Sequence, residues 1–385
     1  MDPLDPRATA ELLKAWALEA GFDRAGVATL EPLEHGPSLL RWLERGDQAD
    51  MSWMERRVEA RLDPGQVHPG ARSVLFVALQ YHPLSKEDGT EEAEPDGDLW
   101  PRVARYARGK DYHEVMGARL KALAARVREA FPGCDTRPYV DTGPVLEREL
   151  AARAGMGAVG KNTLLLHPEG GSWFLLGELF LTLDLAPDVP LADMCGSCTR
   201  CLEACPTGAL AEPYRLDSRR CISYWTIEHR GSLPPEAREM VGEWVFGCDL
   251  CQEACPWNTL PEGSTHPELE LPPERGELDL ARLLLLGRDE YVERFRGNPM
   301  KRPKLEGLQR NAAVAMGNRG SARYVPALRQ ALEEGTPLVQ EHAAWALERI
   351  GGAGNPPPDL PHSLPPTLPG VEAPPPPAPG VRARP

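Results

Sequence analysis

The sequence predicts an α+β multidomain protein: an α/β layer domain, then a ferredoxin-like two-cluster module, then a C-terminal HEAT-like α-helical repeat. Three observations carry this. Over roughly residues 1–190, segments of helical periodicity alternate with short apolar runs of strand length. Eight of the nine cysteines crowd into residues 195–255. Beyond residue 303, alanine-rich segments recur at a spacing of 31 residues.

The bulk numbers fit a soluble globular protein of 385 residues, 42% hydrophobic and 26% charged. No apolar run reaches the roughly 20 residues of a membrane span. The longest candidate, residues 173–185, is interrupted by Gly177, Glu178 and Asp184. The start, MDPLDPRATAELL, has neither the basic nor the apolar region of a secretory signal, so a cytoplasmic protein without membrane contact is expected. A net charge of −14 argues against general nucleic-acid binding, unless a local basic stretch overrides the average.

In the first domain, residues 8–20 read as a helix with Gly21 just past its end. Residues 74–79 form an apolar run suited to a buried strand, and the acidic stretch 85–98 reads as a solvated loop. A helix is expected over 111–130, stopped by Pro132 and Gly133, then a strand over 137–140. Pro144 suits the first position of a helix reaching Ala154, with Gly155 beyond it. Residues 163–166 and 173–183 look like strands. The cysteine module covers about 191–262, and a connector and helical repeat cover 263–351. In that repeat, RNAAVAMG at 310–317 aligns with EHAAWALE at 341–348, and so short a repeat must lean on its neighbour. The Pro-rich stretch 352–385 has the composition of a disordered tail.

The cysteine spacing is specific. Cys195, Cys198, Cys201 and Cys205-Pro206 spell C-x2-C-x2-C-x3-C-P, the bacterial ferredoxin run. Cys248, Cys251 and Cys255-Pro256 repeat C-x2-C-x3-C-P, with Cys221 as a fourth ligand from upstream. Three cysteines in a tight loop grip three irons of a cubane, while the cysteine before proline reaches the other cluster. One [4Fe–4S] cluster is therefore assigned to Cys195, Cys198, Cys201 and Cys255, the other to Cys205, Cys221, Cys248 and Cys251. Structural zinc, the competing use of C-x2-C pairs, takes four ligands in two pairs rather than two interlocked sets. Two adjacent clusters suit a relay of single electrons. Cys134 stands apart and reads as an apolar filler.

Four other features have plainer readings beside their functional ones. Gly155-Met-Gly157-Ala-Val-Gly160 spells a dinucleotide fingerprint, but it follows a helix and precedes a strand, the reverse of what that site needs. A glycine turn letting backbone approach a large ligand is expected instead. Asp111, His113 and Gly117 spell D-x-H-x-x-G, which resembles the lower-ligand motif of some cobalamin enzymes and would make His113 a cobalt ligand, while Asp111 serves equally as a helix N-cap. Asp141 follows a strand, where a buried carboxyl could keep its proton and act as general acid, or simply turn the chain. Residues 296–323 hold seven basic side chains against the one acid Glu306, which suits phosphate contact or a solvated helix face.

Taken together these residues resemble the epoxyqueuosine reductase family over roughly residues 8–350. The resemblance rests on Gly109-Lys-Asp-Tyr-His113, Val140-Asp-Thr-Gly-Pro144, Ala154-Gly155, Gly160-Lys-Asn162, Asp193-Met-Cys-Gly-Ser-Cys198, Cys205-Pro-Thr-Gly-Ala-Leu210, Cys221-Ile-Ser223 and Arg310-Asn-Ala-Ala313. It implies a nitroreductase-like, cobalamin-binding domain over 1–190. It further implies clusters that reduce cobalt one electron at a time, and a tRNA substrate whose wobble epoxyqueuosine becomes queuosine. Asp141 matches the family's proton donor. Arg61, Ala104, Asp141, Leu165, Leu176, Ser223 and Asp249 match its cobalamin contacts. Arg230, Lys301, Arg302, Lys304 and Arg310 are the candidate tRNA contacts. The family does not depend on D-x-H-x-x-G, so Gly117 completes that motif by chance, and the Pro-rich tail has no counterpart. An electron donor is required, and a monomer is expected. The competing functions are a cobalamin and iron–sulfur reductase of a small organohalide, and a non-enzymatic RNA-binding protein or electron carrier.

Overall fold

The computed structural model of the 385-residue chain describes residues 5–81, 101–258, 266–270 and 279–352. The acidic stretch 85–98 and the Pro-rich tail beyond residue 352 lie outside the described residues. The first domain contributes α1 (Pro6–Glu19), β1 (Arg24–Ala28), α2 (Gly36–Glu44), α3 (Val58–Leu62), β2 (Ser73–Gln80), β3 (Arg102–Val103), α4 (Tyr112–Ala130), β4 (Thr136–Tyr139), α5 (Glu147–Arg153), β5 (Ala158–Val159), β6 (Leu165–Leu166) and β7 (Phe174–Leu181). The cysteine segment adds α6 (Arg200–Glu203), α7 (Pro235–Met240), β8 (Trp244–Phe246) and α8 (Leu250–Glu253). The C-terminal part adds α9 (Leu280–Leu284), α10 (Arg288–Phe295), α11 (Lys304–Arg319), α12 (Val325–Glu334) and α13 (Pro337–Gly351).

The main sheet has the order β1-β2-β7-β4, and every pairing in it is antiparallel. Alternating helices and strands ordinarily build parallel sheets, so the layers expected from the sequence are present with a different strand direction. β2 is buried along its whole length because both its faces are covered. Leu75, Val77 and Leu79 pack under α1 and α4, against Leu13, Ala17, Met116 and Leu120. Val74, Phe76 and Ala78 pack under α5, against Leu150, Ala151 and Ala154. β7 alternates in the same way, except that the α5 face carries the fully buried Glu178 among Leu176 and Phe180.

Three local expectations are corrected. The helix expected from Pro144 begins at Glu147, because Val145 is drawn into the core first and Gly143 lies under the Tyr139 ring. The strand expected over 163–166 is only Leu165–Leu166, since Thr163 sits at φ +66° in the turn. The 155–160 glycines do not open space for a ligand. A Cβ on Gly155 would lie 2.8 Å from the Val189 carbonyl oxygen, and one on Gly157 2.4 Å from that of Leu166. They let the β5–β6 hairpin close on the chain's own backbone.

The parts interlock. β3 runs parallel to β8, so a piece of the first domain pairs with the cysteine segment. One apolar core then runs from Val103 and Phe246 through α9, α11 and α13. RNAAVAMG and EHAAWALE fall in α11 and α13, which pack so closely that a Cβ on Gly317 would lie 2.6 Å from Trp345. α11 leans on the cysteine segment through buried polar groups. Asn311 donates to the Thr226 and Val245 carbonyls, and Asn318 to those of Arg238 and Gly242. Arg310, expected as a tRNA contact, is fully buried. Its guanidinium donates to the Trp225, His229 and Gly231 carbonyls and to Asn311 Oδ1. It is an anchor between domains and offers nothing to a phosphate.

Arg310→Met removes the donor to three buried carbonyls, a cost on the order of 3 kcal/mol. Amides of α11 are expected to exchange with solvent about 100-fold faster in that variant, measured by native-state hydrogen exchange.

Candidate active site

A cleft of about 1850 Å³ opens between the first domain and the elements packed beside it. One wall is the 141–149 loop and the start of α4. Another runs from Trp53 to Arg61, and Ile227, Glu228, Phe246 and the 299–302 turn face them.

The start of α4 sets the chemistry. Asp111 caps the helix by accepting the His113 N–H at 3.1 Å, and its Oδ1 lies 2.8 Å from His113 Nδ1. Its Oδ2 pairs with Lys301 Nζ at 2.8 Å, tying the cap to the 299–302 turn. His113 Nε2 points to Asp141 Oδ2 at 3.6 Å, and the Tyr112 hydroxyl donates to the same oxygen at 3.2 Å. Asp141 itself sits at φ +57°, with its N–H donating to Glu147 Oε1 at 2.8 Å. His113 thus has both ring nitrogens engaged by carboxylates and is not presented as a cobalt ligand.

Burial alone would depress the His113 pKa, but the hydrogen bonds to Asp111 and Asp141 overcome it and hold it up to about 9. Asp141 is held below its ordinary value, first by its hydrogen bond to His113 and against the opposing effect of burial. Its side chain is 58% exposed within the cleft. These directions favour an ionised Asp141 beside a protonated His113. Glu147, below the loop, is pushed up to about 8 by burial and then by the Asp141 charge. Burial, with the neighbouring carboxyls, likewise raises Glu178 well above the carboxylate range.

The cysteines fall into two neighbourhoods. Burial, then the nearby Cys195, Cys201 and Cys198, push the Cys255 thiol up to about 12 despite the bond from the Trp257 backbone. Burial and the charges of Cys251 and Cys221 raise Cys248 in the same way. Four thiolates so placed repel one another, and bound iron is what makes such a set stable. α6 and α8 carry Cys201 and Cys251 at equivalent positions, as the repeated spacing requires. The Lys161 N–H donates to Cys195 Sγ at 3.4 Å, while its ammonium holds the Gly196 and Cys198 carbonyls. Asp249 accepts the Arg105 N–H at 2.7 Å, joining the cleft-side segment 104–107 to the second cysteine set.

Of the residues matched to cobalamin contacts, Arg61 and Asp141 line the cleft. Ala104, Leu165 and Asp249 are buried behind it, and Leu176 and Ser223 are half-buried, outside its lining. The basic stretch does not form an open patch. Lys301 pairs with Asp111, Arg302 bidentately with Glu228 at 2.7 and 3.0 Å, and Arg319 with Glu243. Lys301 and Arg302 nevertheless stay half-exposed at the cleft mouth, and Lys304 and Arg230 are exposed. Linear charge counting missed Arg56 and Arg57, which are exposed on the opposite wall. It also gave no role to Glu178, visible only as a break in an apolar run.

A proton-holding cleft beside a double-cluster module defines the chain as an iron–sulfur oxidoreductase. Residues 194–258 match the 4Fe-4S double cluster binding domain, 61–142 the family epoxyqueuosine reductase QueG, DUF1730, and 308–334 the PBS lyase HEAT-like repeat. Epoxyqueuosine reductase of Xanthomonas campestris pv. campestris is 41% identical over 353 residues, spanning 90% of this chain and 98% of that protein. That of Escherichia coli K12 is 36% identical, spanning 90% of each. A crystal structure of epoxyqueuosine reductase with an epoxyqueuosine-modified tRNA-Tyr stem loop has a TM-score of 0.83 at 34% identity, spanning 89% of this chain and 90% of that one. A Bacillus subtilis epoxyqueuosine reductase with its catalytic aspartate loop swung out of the active site has a TM-score of 0.81 at 32% identity, with the same spans. The chain belongs to the epoxyqueuosine reductase family.

The raised His113 pKa stabilises the fold below about 6.5, where the histidine is protonated folded or unfolded, and that contribution is lost as pH rises through about 9. The difference in melting temperature between the protein and His113→Gln is expected to be largest near pH 6 and to shrink toward pH 9, read by thermal unfolding across that range.

Proposed function

We propose that this chain reduces epoxyqueuosine to queuosine at the wobble position of tRNA, with electrons passing through two [4Fe–4S] clusters to cobalamin. The observation that carries this reading is the Asp141–His113 pair facing the cysteine module across one cleft, in a chain of this family. The relative bound to a modified stem loop supports RNA as the substrate. No observation favours the small-organohalide alternative. The ligand sets are Cys195, Cys198, Cys201 and Cys255 for one cluster, and Cys205, Cys221, Cys248 and Cys251 for the other.

The residues fit cobalamin. The cleft exceeds the several hundred Å³ of an ordinary small-molecule site. Val145, Leu146, Val159 and Phe246 give it apolar wall, and Arg61 Nε on its lining is buried without a hydrogen-bond partner among the described residues. Arg61 and Asp141 would hold the group's polar edge, with Ala104, Leu165, Leu176, Ser223 and Asp249 behind. When bound, cobalamin supplies a metal centre able to deliver electrons to a carbon–oxygen bond.

The chain's own residues supply the rest. Asp111 and Asp141 keep His113 charged, and Asp141 hands its proton to the oxygen released from the epoxide, which would otherwise leave as an alkoxide. Tyr112 fixes the orientation of the Asp141 carboxylate. Arg230, Lys301, Arg302 and Lys304 meet the RNA backbone, with Arg56 and Arg57 opposite, and the base enters the cleft out of its stack. In this reading the layer domain, 1–190, is nitroreductase-like and precedes the cluster module, 191–262, and the repeat, 263–351. The protein works in the cytoplasm as a monomer and takes electrons from a separate donor.

Protein reconstituted anaerobically with iron, sulfide and cobalamin is expected to convert epoxyqueuosine in tRNA to queuosine, read by nucleoside mass spectrometry. Asp141→Asn is expected to keep full iron and cobalamin content and lose about 100-fold or more in turnover. Undiminished turnover in that variant would remove Asp141 from its role.

A further inference from the structure

Glu178 is the least expected residue in the first domain. It lies in the middle of β7, the second strand from one edge of the sheet, with Phe76 on β2 and Tyr139 on β4 opposite it. Strand alternation turns its side chain to the α5 face, among Phe76, Leu176 and Phe180. It is fully buried, and among the described residues the one side-chain group that approaches its otherwise unsatisfied carboxyl oxygens is the Glu147 carboxyl. An isolated carboxylate there would cost several kcal/mol, and leucine would pack the site at no such cost. Such a group keeps its proton.

The groups that act on it are two carboxyls, Glu147 from α5 and Asp141 from the loop above. The nearby cations face Glu147 instead, Arg148 from α5 and Arg61 from α3. Arg148 is committed to Thr163, donating to its carbonyl at 2.8 Å, and is exposed. Arg61 donates toward the Trp53 carbonyl at 3.5 Å. Among the described residues no cation acts on Glu178. Two carboxyls facing each other in an apolar layer cannot both be ionised. Glu147 stands between Glu178 and the reaction: it lines the cleft, its carboxyl meets that of Glu178, and its Oε1 is held against the Asp141 backbone by the Asp141 N–H.

We propose that Glu178, through Glu147, stores a proton under the Asp141 loop and returns it to Asp141 during turnover. This rests on the epoxide reduction proposed above. Opening the epoxide and losing its oxygen as water takes two electrons and two protons. The electrons come from the iron–sulfur and cobalamin centres. The first proton leaves His113 through Asp141 to the released oxygen. Asp141 must then be protonated again while cofactor and base occupy the cleft. The second proton passes from Glu147 to Asp141, Glu178 refills Glu147, and the water formed carries both protons away. When the product leaves, solvent recharges His113 and the glutamate pair. Glu178 touches neither substrate nor cofactor and acts as a positioning residue for the proton. The burial that lifts Glu147 to about 8 agrees with a store that is full at neutral pH.

The test uses the reconstituted holoenzyme and its Glu178→Gln variant, which keeps the shape and removes the proton. Iron and cobalamin content should be unchanged. Turnover on epoxyqueuosine-containing tRNA should fall about tenfold or more with KM for tRNA unchanged, and the alkaline limb of the pH–rate profile should move. Independently of activity, infrared spectra of the wild-type holoprotein should contain a protonated-carboxyl C=O band at pH 7 that is missing from Glu178→Gln. An unchanged pH profile and turnover in the variant, or no such band, would overturn the proposal. Absence of conversion by wild-type enzyme that nevertheless has the band would instead count against the epoxide reading.

Discussion

Asp111 holds more of this structure together than its size suggests. One buried carboxylate caps α4, fixes the imidazole of His113, and pairs with Lys301 from a turn nearly two hundred residues later. Helix start, imidazole placement and the clasp to the 299–302 turn share a single side chain. Each partner is cationic or an N–H donor, so the three roles reinforce one another and keep Asp111 ionised. The geometry of the cleft follows from that one anchored group, because His113 then has only one direction in which to offer its second nitrogen.

The walls of the cleft are tied directly to the cysteine segment. β3 pairs with β8, Arg105 is bonded to Asp249, and α11 sends Arg310, Asn311 and Asn318 into the backbone of the cysteine segment. These contacts bind the module that carries the thiols to the wall that carries Asp141. The HEAT-like helices thus act first as a clamp. Within the basic stretch 296–323, Arg310 and Arg319 are committed to that clamp, while Lys301 and Arg302 pair with carboxylates and stay half-exposed.

What was legible in the sequence was whatever depends on near neighbours. The ferredoxin spacing, the cap of α4 by Asp111, the doubly buried β2 and the small-residue contact of α11 with α13 all follow from local pattern. What was not legible depends on partners far along the chain. Arg310 and Lys301 look alike as letters, yet one is sealed against three carbonyls and the other stands at the cleft mouth. The 155–160 glycines suggested a ligand, but the close approach is to the chain's own carbonyls at Val189 and Leu166. Asp141 could be singled out by position, but not its contact with His113, because that histidine lies on another element.

The central claim is that the proton carriers and the electron carriers serve one cofactor in one cleft. Electron paramagnetic resonance on the cobalamin-loaded, cluster-containing protein tests it directly. With cobalamin seated between Asp141 and the segment leading to Cys248, stepwise reduction should broaden or split the paramagnetic cobalt signal as the neighbouring cluster becomes paramagnetic. A sharp cobalt signal that ignores fully reduced clusters would place the cofactor elsewhere and contradict the account.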